Sequence, residues 1–246
     1  MADPAPTTTE TPLLALEGVS KRYGGLRAVS DLHLVVHRGE LRCLIGPNGA
    51  GKSTVFKLIM GFERVSSGKI IFDGAAIDSW PTWRRARQGV SIKMQIPGIY
   101  PELSVHDNMR VAAQYHVGGG QIEASIERLL VRVGLGGMSG VRAKNLSHGQ
   151  QQWLEIGMAL SVNPKLLLLD EPTAGMGPGE TEATARLVES LNADGVTIMV
   201  IEHDMTFVRQ IARKITVMNL GRLFAEGTIP EIEANQSVTD IYLGRT

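Results

Sequence analysis

The run Gly46-Pro47-Asn48-Gly49-Ala50-Gly51-Lys52-Ser53-Thr54 contains G-x-x-x-x-G-K-[ST], a spacing suited to a chain of phosphates. The glycines let the backbone curl close to phosphate oxygens, while successive N–H groups and the start of the following helix face the anion. Lys52 would place a charge on the outer phosphates, and the Ser53 hydroxyl can ligate Mg²⁺. A plain glycine-rich turn would share the glycines but not the flanks. Residues 41–45 form an apolar run of strand length leading in, and Val55, Leu58, Ile59 and Phe62 recur at helical spacing leading out.

A second group complements the first. Lys165 and four leucines run into Asp170 and Glu171. A buried strand ending in two acids sets carboxylates at the carboxyl end of a parallel sheet, the edge where open α/β folds bind ligands. Asp170 would hold the metal through water, and Glu171 would polarise an attacking water. Alone, these residues read more simply as an apolar strand running into a solvated turn. A phosphate loop in the same chain takes that reading's advantage away.

The flanking elements must bring these groups together. Leu32, Leu34 and Val36 alternate with His33, Val35 and His37, residues 38–40 turn the chain into 41–45, and Ile70 and Phe72 share a face before the Asp73-Gly74 turn. This predicts an antiparallel sheet around one buried strand. The middle is helical. Ser104 and Asp107 mark the start of a helix reaching about His116, Gly118-Gly119-Gly120 breaks it, Ile122, Ile126, Leu129, Leu130 and Val133 repeat at helical spacing, and a third helix runs from near Gly149 to Asn163-Pro164. Strands at 165–169, 196–201 and 215–218 then alternate with helices at 180–191 and 204–212. The expected organisation is a tail over 1–12 and one α/β domain over 13–246. In it, 13–94 and 164–246 form a catalytic core with a mixed sheet and an antiparallel β part, and 95–163 form a helical subdomain.

Composition narrows the function classes. The 246 residues carry 25 basic and 25 acidic side chains, and zero net charge argues against a nucleic-acid partner, whose affinity comes largely from neutralised phosphates. The single cysteine, Cys43, rules out an intrachain disulfide and fits a reducing compartment. No run approaches the roughly 18 apolar residues of a membrane span, and the N-terminus has neither the basic start nor the apolar centre of a signal peptide. The chain is expected in the cytosol, reaching a membrane only through another protein.

The segment Leu146-Ser147-His148-Gly149-Gln150, shortly before the strand that ends in Asp170, resembles the signature motif, usually LSGGQ, of ABC transporter ATP-binding subunits. The resemblance covers nearly the whole chain from Leu13. It implies a P-loop NTPase (ABC ATPase) core that binds ATP with Mg²⁺. In that family the Ser and Gly of the signature contact the γ-phosphate held by a second subunit, so two subunits close head to tail around two nucleotides. Carried over, Lys52, Glu171 and His203 are the catalytic residues, with His203 contacting the γ-phosphate. Tyr23 is the aromatic that stacks on adenine, Gln95 joins the metal site to the helical insert, and Ser53, Gln95 and Asp170 serve the metal. Two departures stand out. His148 replaces the first glycine of the signature, and Ala174-Gly175-Met176-Gly177-Pro178 replaces a tract commonly reading Ser-Ala-Leu-Asp, so Gly177 stands where an aspartate would bridge the subunits.

Softer tracts resemble the ATPases of branched-chain amino-acid and urea/amide uptake. These are Gln150 through Ile156 with Trp153, Glu202-His203-Asp204-Met205, Met218 through Arg222, Ala225 through Thr228 and the terminal Tyr242-Leu243-Gly244. The implied partners are integral-membrane permease subunits, a second ATP-binding subunit (a copy of this chain or a related paralogue) and, indirectly, a solute-binding protein. The implied location is the cytoplasmic face of the inner membrane, held peripherally. Residues 96–103 are the expected contact surface, and Arg84, Arg85 and Arg87 with Trp80 and Trp83 form a basic, aromatic cluster read first as a solvated helix face. An ABC-type ATPase acting on nucleic acid or ribosomes is the alternative. It is disfavoured by the neutral charge and by the lack of long coiled-coil insertions or a second nucleotide motif.

Overall fold

A computed structural model describes residues 11–95, 98–114 and 122–243, with the side chains of Tyr242 and Leu243 left out. Residues 1–10 of the expected tail, His116, Gly118-Gly119-Gly120, Ile96, Pro97 and Gly244 lie outside the described residues.

Two sheets carry the fold. The first is antiparallel and orders β1 (Leu14–Tyr23), β2 (Leu26–Val36), β4 (Ser67–Phe72) and β5 (Ala75–Ala76) as β2-β1-β4-β5. The second comprises β3 (Leu41–Ile45), β6 (Val90–Lys93), β7 (Leu166–Asp170), β8 (Thr197–Ile201), β9 (Lys214–Asn219) and β10 (Arg222–Gly227) in the order β10-β9-β3-β8-β7-β6. All its pairings are parallel except the β9–β10 hairpin. The neighbours β3, β8, β7 and β6 therefore end on one edge, and every residue that follows one of these strands meets the others there.

The parallel strands are buried on both faces, as their unbroken apolar runs require. Leu167 and Leu169 of β7 face one core with Cys43, Ile198 and Val200. Leu166 and Leu168 face the other with Leu44, Met199 and Ile201. The first core is shared with α3 (Val105–Ala113), α4 (Ile122–Arg132), α5 (His148–Leu160), α6 (Pro178–Ala193) and α7 (Met205–Ile211). The second is shared with the antiparallel sheet and α1 (Lys52–Met60). Two short C-terminal helices, α8 (Ile229–Glu233) and α9 (Gln236–Leu243), complete the order. Among the described residues no helix is long and apolar enough to cross a membrane.

Several sequence expectations shift. α1 ends at Met60, where Gly61 caps it with φ 79°, so Phe62 leaves the helix and is 44% exposed while Phe56 occupies the core. α3 ends at Ala113, and α5 stops at Leu160 instead of continuing to Asn163. Arg85, on α2 (Thr82–Arg87), is no part of a solvated face. It is 2% exposed and donates to the carbonyls of Leu58 at 2.6 Å, Ile59 at 2.9 Å, Trp80 at 3.0 Å and Asp78 at 3.1 Å. It thereby joins the Gly61 N–H on the Leu58 carbonyl and supplies a donor to the Ile59 carbonyl near the end of α1. Arg84 and Arg87 remain outside, 4.0 Å and 5.2 Å from the ring centroids of Trp80 and Trp83.

Candidate active site

The loop after β3 is shaped by glycine. Gly46, Gly49 and Gly51 adopt φ of 147°, 79° and 97°. A Cβ at Gly46 would sit 2.2 Å from the Met218 carbonyl oxygen, and one at Gly51 would sit 2.4 Å from that of Ala28. Both the backbone conformation and the space exclude side chains. The loop lines a cavity of about 390 Å³ together with Tyr23, Arg27, Gln95 and Glu171. Lys52, the first residue of α1, folds its ammonium back onto the carbonyls of Gly46 at 2.6 Å and Pro47 at 3.1 Å. Burial lowers its pKa, and the charges of Glu171 and Asp170 resist that change. Tyr23, at the end of β1, is 39% exposed at this cavity, with Lys21 Nζ 4.7 Å from its ring centroid.

The acids come from β7. Asp170 is buried, and its Oδ1 has no hydrogen-bond partner among the described residues. Burial raises its pKa, helped by Glu171 and opposed by the Ser53 hydroxyl and by Lys93 and Lys52. An orphaned carboxylate oxygen beside a hydroxyl is a hard-oxygen donor set and fits Mg²⁺ completed by phosphate oxygens. Glu171 holds a left-handed φ of 47°, a conformation uncommon for a residue that has a side chain. Its N–H donates to the Ile201 carbonyl at 2.9 Å, while Oε2 accepts from Gln95 Nε2 at 2.8 Å and Oε1 lies 3.8 Å from His203 Nδ1.

Residues without a role in the sequence reading hold this edge together. Glu202, 1% exposed, accepts from the N–H groups of His203 at 2.6 Å and Asp204 at 3.2 Å and from the Thr173 hydroxyl. It follows apolar β8 just as Glu171 follows β7, a parallel that the sequence already displays. Lys93, at the end of β6, donates to the carbonyls of Asp170 and Glu171. No pattern in the sequence marks it.

The structure thus gathers Tyr23, the loop 46–54, Gln95, Asp170, Glu171 and His203. The signature stands apart, since none of Leu146, Ser147, His148, Gly149 and Gln150 lines the cavity. Ser147 caps α5, accepting from the Gln150 N–H, and the Gln150 side chain accepts from the Ser147 N–H at 3.0 Å. Leu146 is buried beneath this cap. Ser147 Oγ also donates to Glu180 Oε1 at 3.1 Å, and a Cβ on Gly149 would lie 2.5 Å from that oxygen. Gly177 caps α6, its N–H donating to Glu180 Oε2 at 3.3 Å. Glu180 stands at the third position of α6, the capping-box position, which a Gly-x-x-Glu spacing could have revealed.

Residues 29–174 match the ABC transporter family. The chain is 37% identical over 250 residues to the high-affinity branched-chain amino acid transport ATP-binding protein LivG of Salmonella typhimurium, across 95% of this chain and 98% of that protein. It is 33% identical over 233 residues to the lipopolysaccharide export system ATP-binding protein LptB of Escherichia coli, across 94% and 97% of the two chains. The solved ADP conformation of an ATP-binding cassette of an ABC transporter superposes with a TM-score of 0.88 at 28% identity, over 95% of this chain and 99% of that one. The chain therefore belongs to the ABC transporter ATP-binding family and, like the cassettes of that family, is an ATPase.

Proposed function

We propose that the cavity at the loop 46–54 binds Mg-ATP and that the chain hydrolyses it within a dimer to power solute import through membrane permeases. The observation that carries this reading is the convergence of Gln95 and His203 on the Glu171 carboxylate, on the sheet edge that also bears the phosphate loop. Tyr23 offers its ring to adenine, and the loop N–H groups and Lys52 hold the phosphates. Mg²⁺, held by Ser53 and Asp170 with Gln95 beside it, would neutralise charge on the phosphates. Glu171 orients the attacking water and takes its proton, while His203, steadied by Glu202 3.3 Å away, contacts the γ-phosphate. A second copy or a paralogue closes the site with Ser147, His148, Gly149 and Gln150 at the start of α5, a helix N-terminus facing the same anion.

Docking to the permease would use the groove of about 310 Å³ lined by Phe62, Met94, Gly98, Glu155 and Met158. It adjoins the 96–103 segment, in which Tyr100 and Leu103 are exposed. This contact would hold the chain peripherally at the cytoplasmic face, with a solute-binding protein engaged through the permease. Branched-chain amino acids or urea and short amides are the proposed solutes, in line with the similarity to LivG. The similarity to LptB favours a second reading, the ATPase of an exporter. Solute uptake by vesicles holding the chain and its co-purified permease separates the two.

Replacing Glu171 with Gln tests the catalytic reading. The variant is expected to keep ATP affinity, lose hydrolysis by about a hundredfold or more and accumulate as an ATP-bound dimer on size exclusion. Hydrolysis equal to that of the wild type removes Glu171 from this role.

A further inference from the structure

Lys93 is a lysine with no exposed surface, lying outside every motif of the site. It ends β6, beside Leu169 of β7 in the parallel register. Its ammonium donates to the carbonyl oxygens of Asp170 at 3.1 Å and Glu171 at 3.2 Å, the two peptides on either side of the Glu171 Cα. Taking an ammonium out of water is costly, and ordering a lysine chain in a core is costly as well. A hydrocarbon side chain would fill the position more cheaply unless those bonds serve a purpose.

The backbone they hold supplies the purpose. Glu171 has φ 47°, and a left-handed non-glycine residue persists only where its surroundings over-determine it. On its amino side the Glu171 N–H is fixed by Ile201 of β8. On its carboxyl side the Glu171 carbonyl accepts from the Ala174 N–H at 3.3 Å, a turn contact within the same loop, and from Lys93, which ties it to β6. With both carbonyls turned inward to the ammonium, the Glu171 side chain turns outward to Gln95 and His203. We propose that Lys93 is the positioning residue of the catalytic acid, pinning the Asp170 and Glu171 carbonyls so that the Glu171 carboxylate stays aimed at the attacking water. The proposal rests on the reading of Glu171 given above. The surroundings agree with it, since the carboxylates of Glu155, Asp170, Glu202 and Glu171 all act on this ammonium and favour its charge against the desolvation that lowers its pKa.

The test places K93M and K93Q in the wild-type and E171Q chains, reading kcat, KM for Mg-ATP and the ATP-bound dimer on size exclusion. K93M is expected to lower kcat about tenfold or more with KM within about twofold, and to accumulate the ATP-bound dimer as E171Q does. K93Q, which keeps an N–H donor, regains part of kcat. Because Lys93 acts through Glu171, K93M adds no loss to the residual rate of E171Q. The proposal is overturned if K93M hydrolyses ATP at the wild-type rate, or if it lowers the E171Q rate by the factor seen in the wild-type chain. Should K93M fail to fold by circular dichroism, K93Q carries both comparisons. Wild-type hydrolysis by E171Q alone would sink the reading of Glu171 instead, so the two failures remain distinct.

Discussion

The Nε2 atom of His148 lies 2.9 Å from the carbonyl oxygen of Ala174, so the two departures from the family pattern touch one another. A carbonyl only accepts, so this contact calls for a hydrogen on Nε2, which also lies 3.3 Å from the Gln152 side-chain amide. Gly175, at φ 74°, leaves room for the ring, since a Cβ there would sit 3.2 Å from it. The histidine at the start of α5 thus ties the signature helix to the 174–177 tract, where a family-type glycine has no side chain to do so.

H148G is expected to keep ATP affinity in the isolated subunit and to loosen that tie. One neutral hydrogen bond contributes about 1 kcal/mol, so half-maximal hydrolysis should need roughly fivefold more ATP. An unchanged ATP dependence would make His148 a mere occupant of an exposed cap.

K52A removes the ammonium from the phosphate loop. Charge-assisted bonds contribute about 1.5–3 kcal/mol, so ATP binding measured by calorimetry should weaken by about tenfold or more. Burial lowers the Lys52 pKa. The wild-type protein should therefore lose ATP affinity, as pH rises, earlier than an ordinary lysine would dictate. K52A should lack that alkaline limb, and a limb shared by both proteins would assign it to another group.

Much of the site was legible because its chemistry is local. The glycines, Lys52 and Ser53 lie within nine residues, and Asp170 and Glu171 end a run of leucines whose burial follows from composition alone. The groups that hold the site were not legible, because their partners are remote in sequence. Lys93 reaches carbonyls 77 and 78 residues away, and Arg42, on β3 with no exposed surface, pairs with Glu226 184 residues on. Arg42 interrupts an apolar strand and Lys93 merely ends a short alternating one, and only the assembled sheet shows what each cation bonds. Phe62 was misplaced for a local reason, since Gly61 ended the helix before its apolar periodicity did.

The Arg42 network couples stability to pH. Glu226 accepts from Arg42 at 2.5 Å and pairs with Lys214 at 2.5 Å. Desolvation alone would raise its pKa, but Lys214 and Arg42 outweigh it and the pKa is lowered. A carboxylate whose folded pKa is depressed contributes stability above its unfolded pKa and loses it as pH falls through the folded one. E226Q should therefore be less stable than the wild type near neutrality, by about 1.5–3 kcal/mol, in urea titrations. The gap should close as pH drops below the usual carboxylate range, and a gap constant with pH would exclude the ion pairs as its cause.

Arg84 and Arg85, adjacent in sequence, should behave oppositely. Arg84 is exposed and stacks on Trp80, a contact worth about 0.5–1 kcal/mol at an exposed site. Arg85 is enclosed, and burial lowers even its guanidinium pKa. Its loss would strip this donor from the carbonyls of Ile59, Trp80 and Asp78, while the Leu58 carbonyl keeps the Gly61 N–H. Each unmet acceptor costs about 1–3 kcal/mol, so R85M should lower stability by about 3 kcal/mol or more, while R84M stays within about 1 kcal/mol. Because Lys52 opens the helix that Arg85 closes, R85M should also weaken ATP binding before the fold is lost on warming. Equal urea midpoints for the two variants would return Arg85 to the surface cluster in which its sequence neighbours place it.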